Sequence, residues 1–405
     1  MSLMDKETDK KENRKDSEKG IRFVGENKDA ILIIMAALAF VLGLVIRRMF
    51  MPYISRDYTI YWEMWMNELE TNGFKAIAGD FYDYAPAYMY LLWMAVKTGI
   101  NKMSAFKMIS IFFDIVCSVT SGLIIYEIKK SRVYAVMAGA IVWLSPVVMS
   151  NSSMWGQCDS IYTSFLLLAF LFILKDRTTP AMIFFGIAFA FKMQALFYLP
   201  IVMLLWLFKR IRTWELVFIP LMYAVSLIPA LIAGRPFGQL LAVYFNQAGE
   251  DTNRLSMKYP NIYYIIGELN LPEWYSDPGK LFAVCVILLF MTAVVLKLMK
   301  EELTPFMLLM IIYCEGALSL YFLPQMHERY AYFIEIVAIM IAVLNIRFIW
   351  VPVSHILITF ITYGYYYNYD REKLIPFPIL STMMLFIIMF MVYKTFTLKG
   401  DTKQA

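Results

Sequence analysis

The stretch YAPAYMYLLWMAVKTGI, residues 84–100, decides how the whole chain is threaded. It is apolar, but it is short for a membrane crossing and Pro86 interrupts its start. Around it, apolar runs recur from residue 30 to residue 396. Most approach the roughly 20 residues needed to cross a hydrocarbon core of about 30 Å. They lie at 30–49, 107–127, 133–149, 159–174, 180–197, 199–208, 214–233, 281–298, 304–322, 330–346, 349–366 and 374–395. If 84–100 rests in the interface and the N-terminus is cytoplasmic, the inner connections are EIKKSR (127–132), KDR (175–177), KRIR (209–212), KLMK (297–300) and the turn at Arg347. Every one is basic, as the positive-inside rule requires of cytoplasmic loops. If 84–100 crosses, all of them move outside and the rule fails at each. The segment is therefore read as interfacial, and both termini as cytoplasmic.

Composition agrees with this threading. The chain has 405 residues, 60% hydrophobic and only 17% charged, with a mean hydropathy of +0.59. A soluble chain would be about a quarter charged. The fold class expected is an all-α polytopic membrane protein with about twelve transmembrane helices, since only helices and closed barrels satisfy their backbone in lipid. Its transmembrane domain covers 30–396, with a first outer loop at 50–106 that carries interfacial helices and a second at 234–280. Residues 1–29 are polar and lysine-rich, and read as a disordered cytoplasmic tail rather than a signal peptide. Residues 397–405 form a second cytoplasmic tail. The net charge of +5 reflects the asymmetric loops and implies no nucleic-acid partner. Cys117, Cys158, Cys285 and Cys314 are scattered without metal spacing and read as small apolar fillers.

The unusual polar residues collect on the outer side. ISRDYTIYWEMWMNELE places Asp57 just beyond the first span, among aromatic residues. Tyr61, Trp62 and Trp65 suit an interfacial aromatic belt, but a belt does not explain an aspartate at its edge. Tyr82, Asp83 and Tyr84 precede Pro86, which favours an extended backbone before it. WGQCDS puts Trp155, Gln157 and Asp159 at the mouth of a span, where Asp159 or Ser160 could equally cap the helix. FKMQ puts Lys192 and Gln194 near the outer edge, where a lone lysine could simply snorkel. QMHERY gathers His327, Glu328 and Arg329 in an outer turn that a plain solvated loop would also explain. Together these residues offer a carboxylate base, a cationic clamp for a phosphate (Lys192, Arg329, and His327 if protonated) and flat aromatic faces for a sugar. Ionisable groups near a membrane are costly and are usually kept for function. The combination points to transfer from a lipid-linked phosphate.

At these motifs the sequence resembles the GT-C superfamily of polyprenyl-phosphate-sugar glycosyltransferases, especially the bacterial GPI-mannosyltransferase-like membrane proteins. It is also similar to the eukaryotic glucosyltransferases that extend the lipid-linked oligosaccharide. RDYTIYWEMW matches the first-loop acidic motif, and YDYAPAYMY the DYPP stretch with Ala85 in place of its first proline. WGQCDS, FKMQALFYLP and PQMHERY follow in family order, so the likeness runs from about residue 50 to 335. It implies an inverting, metal-independent transferase with a polyprenyl-phosphate hexose donor (mannose or glucose) and a glycan or lipid-linked acceptor of the cell envelope. No cofactor is implied, although a divalent metal stays open. It casts Asp57 as catalytic base. Lys192, Gln194, His327 and Arg329 would bind the donor phosphate. Asp83, Tyr84, Trp155, Gln157, Asp159 and Glu328 would contact sugar or acceptor, or orient the others. Asp83 and Asp159 are the alternative bases.

Two other classes compete. A lipid-linked glycan flippase predicts an internal repeat and polar groups at mid-membrane. No repeat is evident, but Asp114, Glu315 and Glu335 lie in or near spans. A glycan polymerase or ligase would share the clamp without needing a base at Asp57. Loop 234–280 and the last two spans carry no legible motif.

Overall fold

The computed structural model describes residues 27–249, 254–267, 276–367 and 375–398. The expected N-terminal tail falls outside these apart from residues 27–29, and the C-terminal one apart from Thr397 and Leu398. Among the described residues the chain is helical, with only isolated bridges joining Met257 and Lys258 to His327.

Helix α1 (Lys28–Phe50) leads into the first loop, which folds as a π-turn at Tyr58–Trp62, α2 (Glu63–Asn72), a 3-10 turn at Gly73–Ala78 and α3 (Pro86–Lys97). Then come α4 (Lys102–Lys129), α5 (Arg132–Trp143), α6 (Pro146–Met149) and a π-turn at Ser150–Trp155. Helices α7 (Asp159–Leu174) and α8 (Thr178–Phe191) follow, and a 3-10 turn at Met193–Tyr198 runs into α9 (Leu199–Leu207). Next is α10 (Phe218–Ala233), and the second loop holds α11 (Phe237–Gly249) and α12 (Ile262–Ile266). The chain closes with α13 (Ser276–Leu298), α14 (Pro305–Phe322), a 3-10 turn at Glu328–Ala331, α15 (Tyr332–Leu344), α16 (Trp350–Tyr367) and α17 (Phe377–Thr397).

Seven of these helices are long and apolar enough to cross a membrane, or eight if α5 and the 146–155 segment count as one bent span. The expected count of about twelve is not reached by length, because 159–174, 178–191 and 193–207 are shorter apolar helices. Within 84–100, α3 has 12 residues and is not among the helices long enough to cross, and Ala85 takes the extended geometry that Pro86 favours (φ −59°, ψ 143°).

Two expected boundaries shift. The run 133–149 is not one straight helix but bends by 47° between α5 and the 146–155 segment, since Pro146 has no amide to continue the ladder. The break expected at residue 198 falls at Lys192, which is fully extended (φ −154°, ψ 131°). That conformation turns its ammonium inward to Asp159.

Apolarity also separates lipid-facing from central helices. Helix α1 is only 11% buried within the protein, whereas α14 is 83% buried and, like α15, buried around its circumference. Three of the basic connections meet at one end. Arg132 pairs with Asp29 at 2.9 Å, Lys175 with Glu127 at 3.3 Å, and Thr178 and Thr179 both donate to Glu215. Lys297 reaches the carbonyls of Phe396 and Leu398 at 3.3 Å.

Two expectations fail in part. Trp62 and Trp65 are no interfacial belt: they are 2% and 1% exposed, and Trp62 packs at 5.0 Å on Phe106 and Trp65 at 5.5 Å on Tyr84. Only Tyr61 faces outward. Cys285 is not a buried filler but lies exposed on α13, while Cys117, Cys158 and Cys314 are buried as expected. Asp114, one of the acids within the spans, is buried and paired. It accepts from Arg47 at 2.8 and 3.2 Å, from Ser152 at 2.5 Å and from Tyr332 at 2.8 Å, a fully paired brace between helices.

Candidate active site

At the end of the bundle opposite the basic turns, the loops carry the candidate residues to one place. The π-turn Ser150–Trp155 closes when the amides of Gly156 and Gln157 both donate to the Asn151 carbonyl at 2.9 Å. Gly156 then turns left-handed (φ +79°), and a Cβ there would sit 2.1 Å from the Phe106 ring. Only glycine suits that corner, and it aims Trp155 and Gln157 at the first loop.

Asp57 receives them. Its Oδ2 accepts from Trp155 Nε1 and from Gln157 Nε2, both at 2.8 Å. Its Oδ1 accepts from the Tyr366 hydroxyl at 2.6 Å, and the hydroxyl oxygen in turn accepts the Asp57 amide at 3.1 Å. The Tyr366 ring stacks on Trp155 at 4.0 Å with a 23° interplanar angle. Trp155 and Gln157 thus orient the carboxylate. Tyr366 covers one face of Trp155, and Tyr363 and Tyr367 pack against it edge-on.

A second cluster adjoins the first. Lys192 forms a buried ion pair with Asp159, whose other oxygen accepts from Asn151 at 3.0 Å and lies 3.9 Å from Arg329 Nε. Asp159 therefore does not cap its helix, which has Cys158 as N-cap and no side-chain capping bond. Lys192 is 6% exposed and does not snorkel. It lies between the rings of Tyr162 and Tyr330, at 5.6 and 5.4 Å. The Arg329 guanidinium sits 5.5 Å from the Trp155 ring centroid and makes no hydrogen bond through Nε.

The turn 327–329 is largely buried, with Glu328 2% exposed and Arg329 11%. Arg329 Nη1 donates to His327 Nδ1 at 3.2 Å, since a guanidinium carries only donors. Burial first, and then the positive charges of Arg329, Lys192, Lys258 and Arg254, hold the His327 pKa well below the usual imidazole value. This disfavours the cationic form in which His327 would join the clamp. Glu328 lies 4.0 Å from Arg329, and burial raises its carboxyl to about 7.

The remaining candidates are less integrated. Gln194 is buried in its 3-10 turn with Oε1 unpartnered. Tyr84 packs on Trp65 and Tyr88. Asp83 stays exposed, with its carboxyl raised by partial burial and its carbonyl accepting from Gln247.

Two contributors to the site, α16 and the second loop, carry no motif in the sequence. Tyr366, Tyr363 (which holds Asn151 at 3.2 Å) and Tyr367 come from a span without a family motif. Their signal was present in TYGYYYN, where positions 363, 366 and 367 fall on one helical face. Residues 254–259 dock on the His327 turn through amide bonds from Met257 and Tyr259 to the Met326 carbonyl, and bring Lys258 to 5.2 Å from the Tyr366 ring.

Comparison with known proteins places this geometry in context. Residues 88–324 match the profile of Glycosyltransferase family 87. The chain is also similar to GPI mannosyltransferase 1 of Dictyostelium discoideum, 25% identical over 172 residues, which amounts to 39% of this chain and 38% of that protein. The chain thus spans under two-fifths of that curated relative. The family match encloses Trp155, Gln157, Asp159, Lys192 and Gln194, while Asp57, the 327–329 turn and Tyr366 lie outside it.

Proposed function

The chain belongs to glycosyltransferase family 87 and is a multi-pass membrane glycosyltransferase of the GT-C type, and from that premise we propose its reaction. It transfers a hexose from a polyprenyl-phosphate donor to a glycan or lipid-linked acceptor, with inversion and without metal or cofactor. Mannose is favoured over glucose by the activity named for its Dictyostelium relative. The site faces the outer or luminal side, as in a bacterial plasma membrane, with the basic turns and both termini in the cytoplasm.

In a single displacement the acceptor oxygen attacks the anomeric carbon while the bond from that carbon to the phosphate oxygen breaks. Asp57 takes the hydroxyl proton as general base. Negative charge then grows on the departing polyprenyl phosphate, and Lys192 and Arg329 stabilise it. Arg329 suits this role because its planar fork matches phosphate oxygens. Asp159 and His327 hold the two cations in place.

One observation carries this reading. Trp155 donates to Asp57 through its indole N–H and carries the Arg329 guanidinium 5.5 Å from its ring centroid. Base and phosphate clamp are therefore separated by about one side chain, the distance that an acceptor hydroxyl and a sugar phosphate need to meet.

A donor screen tests it. Purified protein in lipid nanodiscs is given synthetic polyprenyl-phosphate mannose, polyprenyl-phosphate glucose or nucleotide sugars, with a membrane glycolipid extract as acceptor. Release of polyprenyl phosphate coupled to glycan labelling supports the proposal. Turnover of nucleotide sugars but of neither lipid donor refutes it.

A further inference from the structure

The carboxylate of Asp57 is occupied unevenly. An ionised carboxyl offers about four lone-pair positions, two on each oxygen. Trp155 and Gln157 take both positions on Oδ2. Tyr366 takes one on Oδ1. Among the described contacts, the fourth position, also on Oδ1, is unoccupied.

The direction of the Tyr366 hydroxyl is fixed as well. Its oxygen accepts the backbone N–H of Asp57, so its own hydrogen is left to point at Oδ1. The ring cannot swing away, because it is stacked on Trp155 and Lys258 lies over it. Tyr366 and Asp57 are 309 residues apart in sequence, so this clasp ties the penultimate span to the first loop.

The geometry points to Tyr366 as the positioning residue for the base: it locks the rotation of the Asp57 carboxylate so that Oδ1 presents its remaining lone pair to the acceptor hydroxyl. The proton leaving the acceptor goes to Oδ1, while Oδ2 stays bound to the indole and the amide. Tyr366 touches no reacting atom in this arrangement and acts only through Asp57. The inference rests on Asp57 being the base.

Tyr366→Phe tests it, since phenylalanine keeps the stack on Trp155 and removes only the hydroxyl. A hydrogen bond to a charged group predicts that kcat falls about 10- to 100-fold. The KM for the polyprenyl-phosphate donor and the Tm stay within about twofold and two degrees of wild type on this reasoning, because the clamp and the stacking are intact. Tyr365→Phe is the control. Its hydroxyl bonds the Ile375 backbone at 2.8 and 2.7 Å, so kcat is retained there. In single turnovers with enzyme in excess, Tyr366→Phe added to Asp57→Asn causes no further loss, because its effect passes through the carboxylate. An unchanged kcat in Tyr366→Phe, an equal fall in Tyr365→Phe, or the same fold-loss on the Asp57→Asn background each overturns the inference. If Asp57→Asn itself turns over normally, the base assignment falls instead.

Discussion

Replacing Asp57 with asparagine exchanges one oxygen for an NH2 group, and the surrounding contacts indicate how little else changes. With its amide oxygen toward Trp155 and Gln157, the side chain keeps both 2.8 Å bonds. Its NH2 then faces the Tyr366 oxygen, which has a second lone pair to accept it beside the Asp57 amide. One bond is reversed in direction and one hydroxyl hydrogen loses its partner. That costs about 1 kcal/mol, too little to unfold the bundle. Loss of a general base costs about 10²- to 10⁴-fold in rate. At 1.36 kcal/mol per decade this is about 3–5 kcal/mol, several times the stability cost. Transfer of radiolabelled sugar from polyprenyl-phosphate donor in nanodiscs, beside a thermal-shift titration with the same donor, separates the two effects. The variant is expected to melt within a few degrees of wild type, to bind donor normally and to lose nearly all transfer. Turnover within a few-fold of wild type refutes the reasoning and moves the base to Asp83, since Asp159 is already committed to Lys192.

Three further outcomes are expected. Arg329→Ala and Lys192→Ala should each weaken donor use by about tenfold or more, and Arg329→Lys should recover only part, because an ammonium cannot both hold His327 and grip a phosphate as the fork does; wild-type kinetics in Arg329→Ala would return the turn to a structural role. Glu328, with its carboxyl raised to about 7, is neutral below that pH and ionised above it, so its negative charge beside Arg329 opposes phosphate binding as pH rises through 7. Donor KM should therefore rise several-fold between pH 6 and 8, and Glu328→Gln should flatten that rise; an unchanged slope in the variant counts against it. A cysteine placed at Ser131, on a background lacking Cys117, Cys158, Cys285 and Cys314, should label only from the cytoplasmic side, and labelling from outside would invert the threading.

The helical architecture was legible because hydropathy reports depth. Apolar length placed the helices, and basic turns ordered them. Depth does not report which way a side chain faces around a helix. For this reason Trp62 and Trp65 were taken for a belt when they point inward, and Cys285 for a filler when it faces out. Asp57, Asp159, Lys192 and Arg329 stood out because charge at a membrane edge is expensive. Tyr366 did not, since a tyrosine near the end of a span is the most ordinary of interfacial residues. Its role comes from a contact across 309 positions, which local spacing cannot encode. His327 likewise has its pKa lowered first by burial and then by cations from three separate segments.

The Arg47–Asp114 brace has a consequence for biogenesis. Helix α1 enters the bilayer with Arg47 in its last turn, and no acid within its own span can neutralise it. Its partner is 67 residues downstream, and the Trp143 carbonyl that also receives it is 96 residues downstream. At about 5–20 residues per second of synthesis, roughly 3–13 s pass before Asp114 is even made. Until then Arg47 lacks the carboxylate that pairs with it in the folded chain. The Asp114 carboxylate then ties α1 to α4 and the Trp143 carbonyl ties it to α5, so the candidate span with the least surface buried within the protein is anchored by residues made after it.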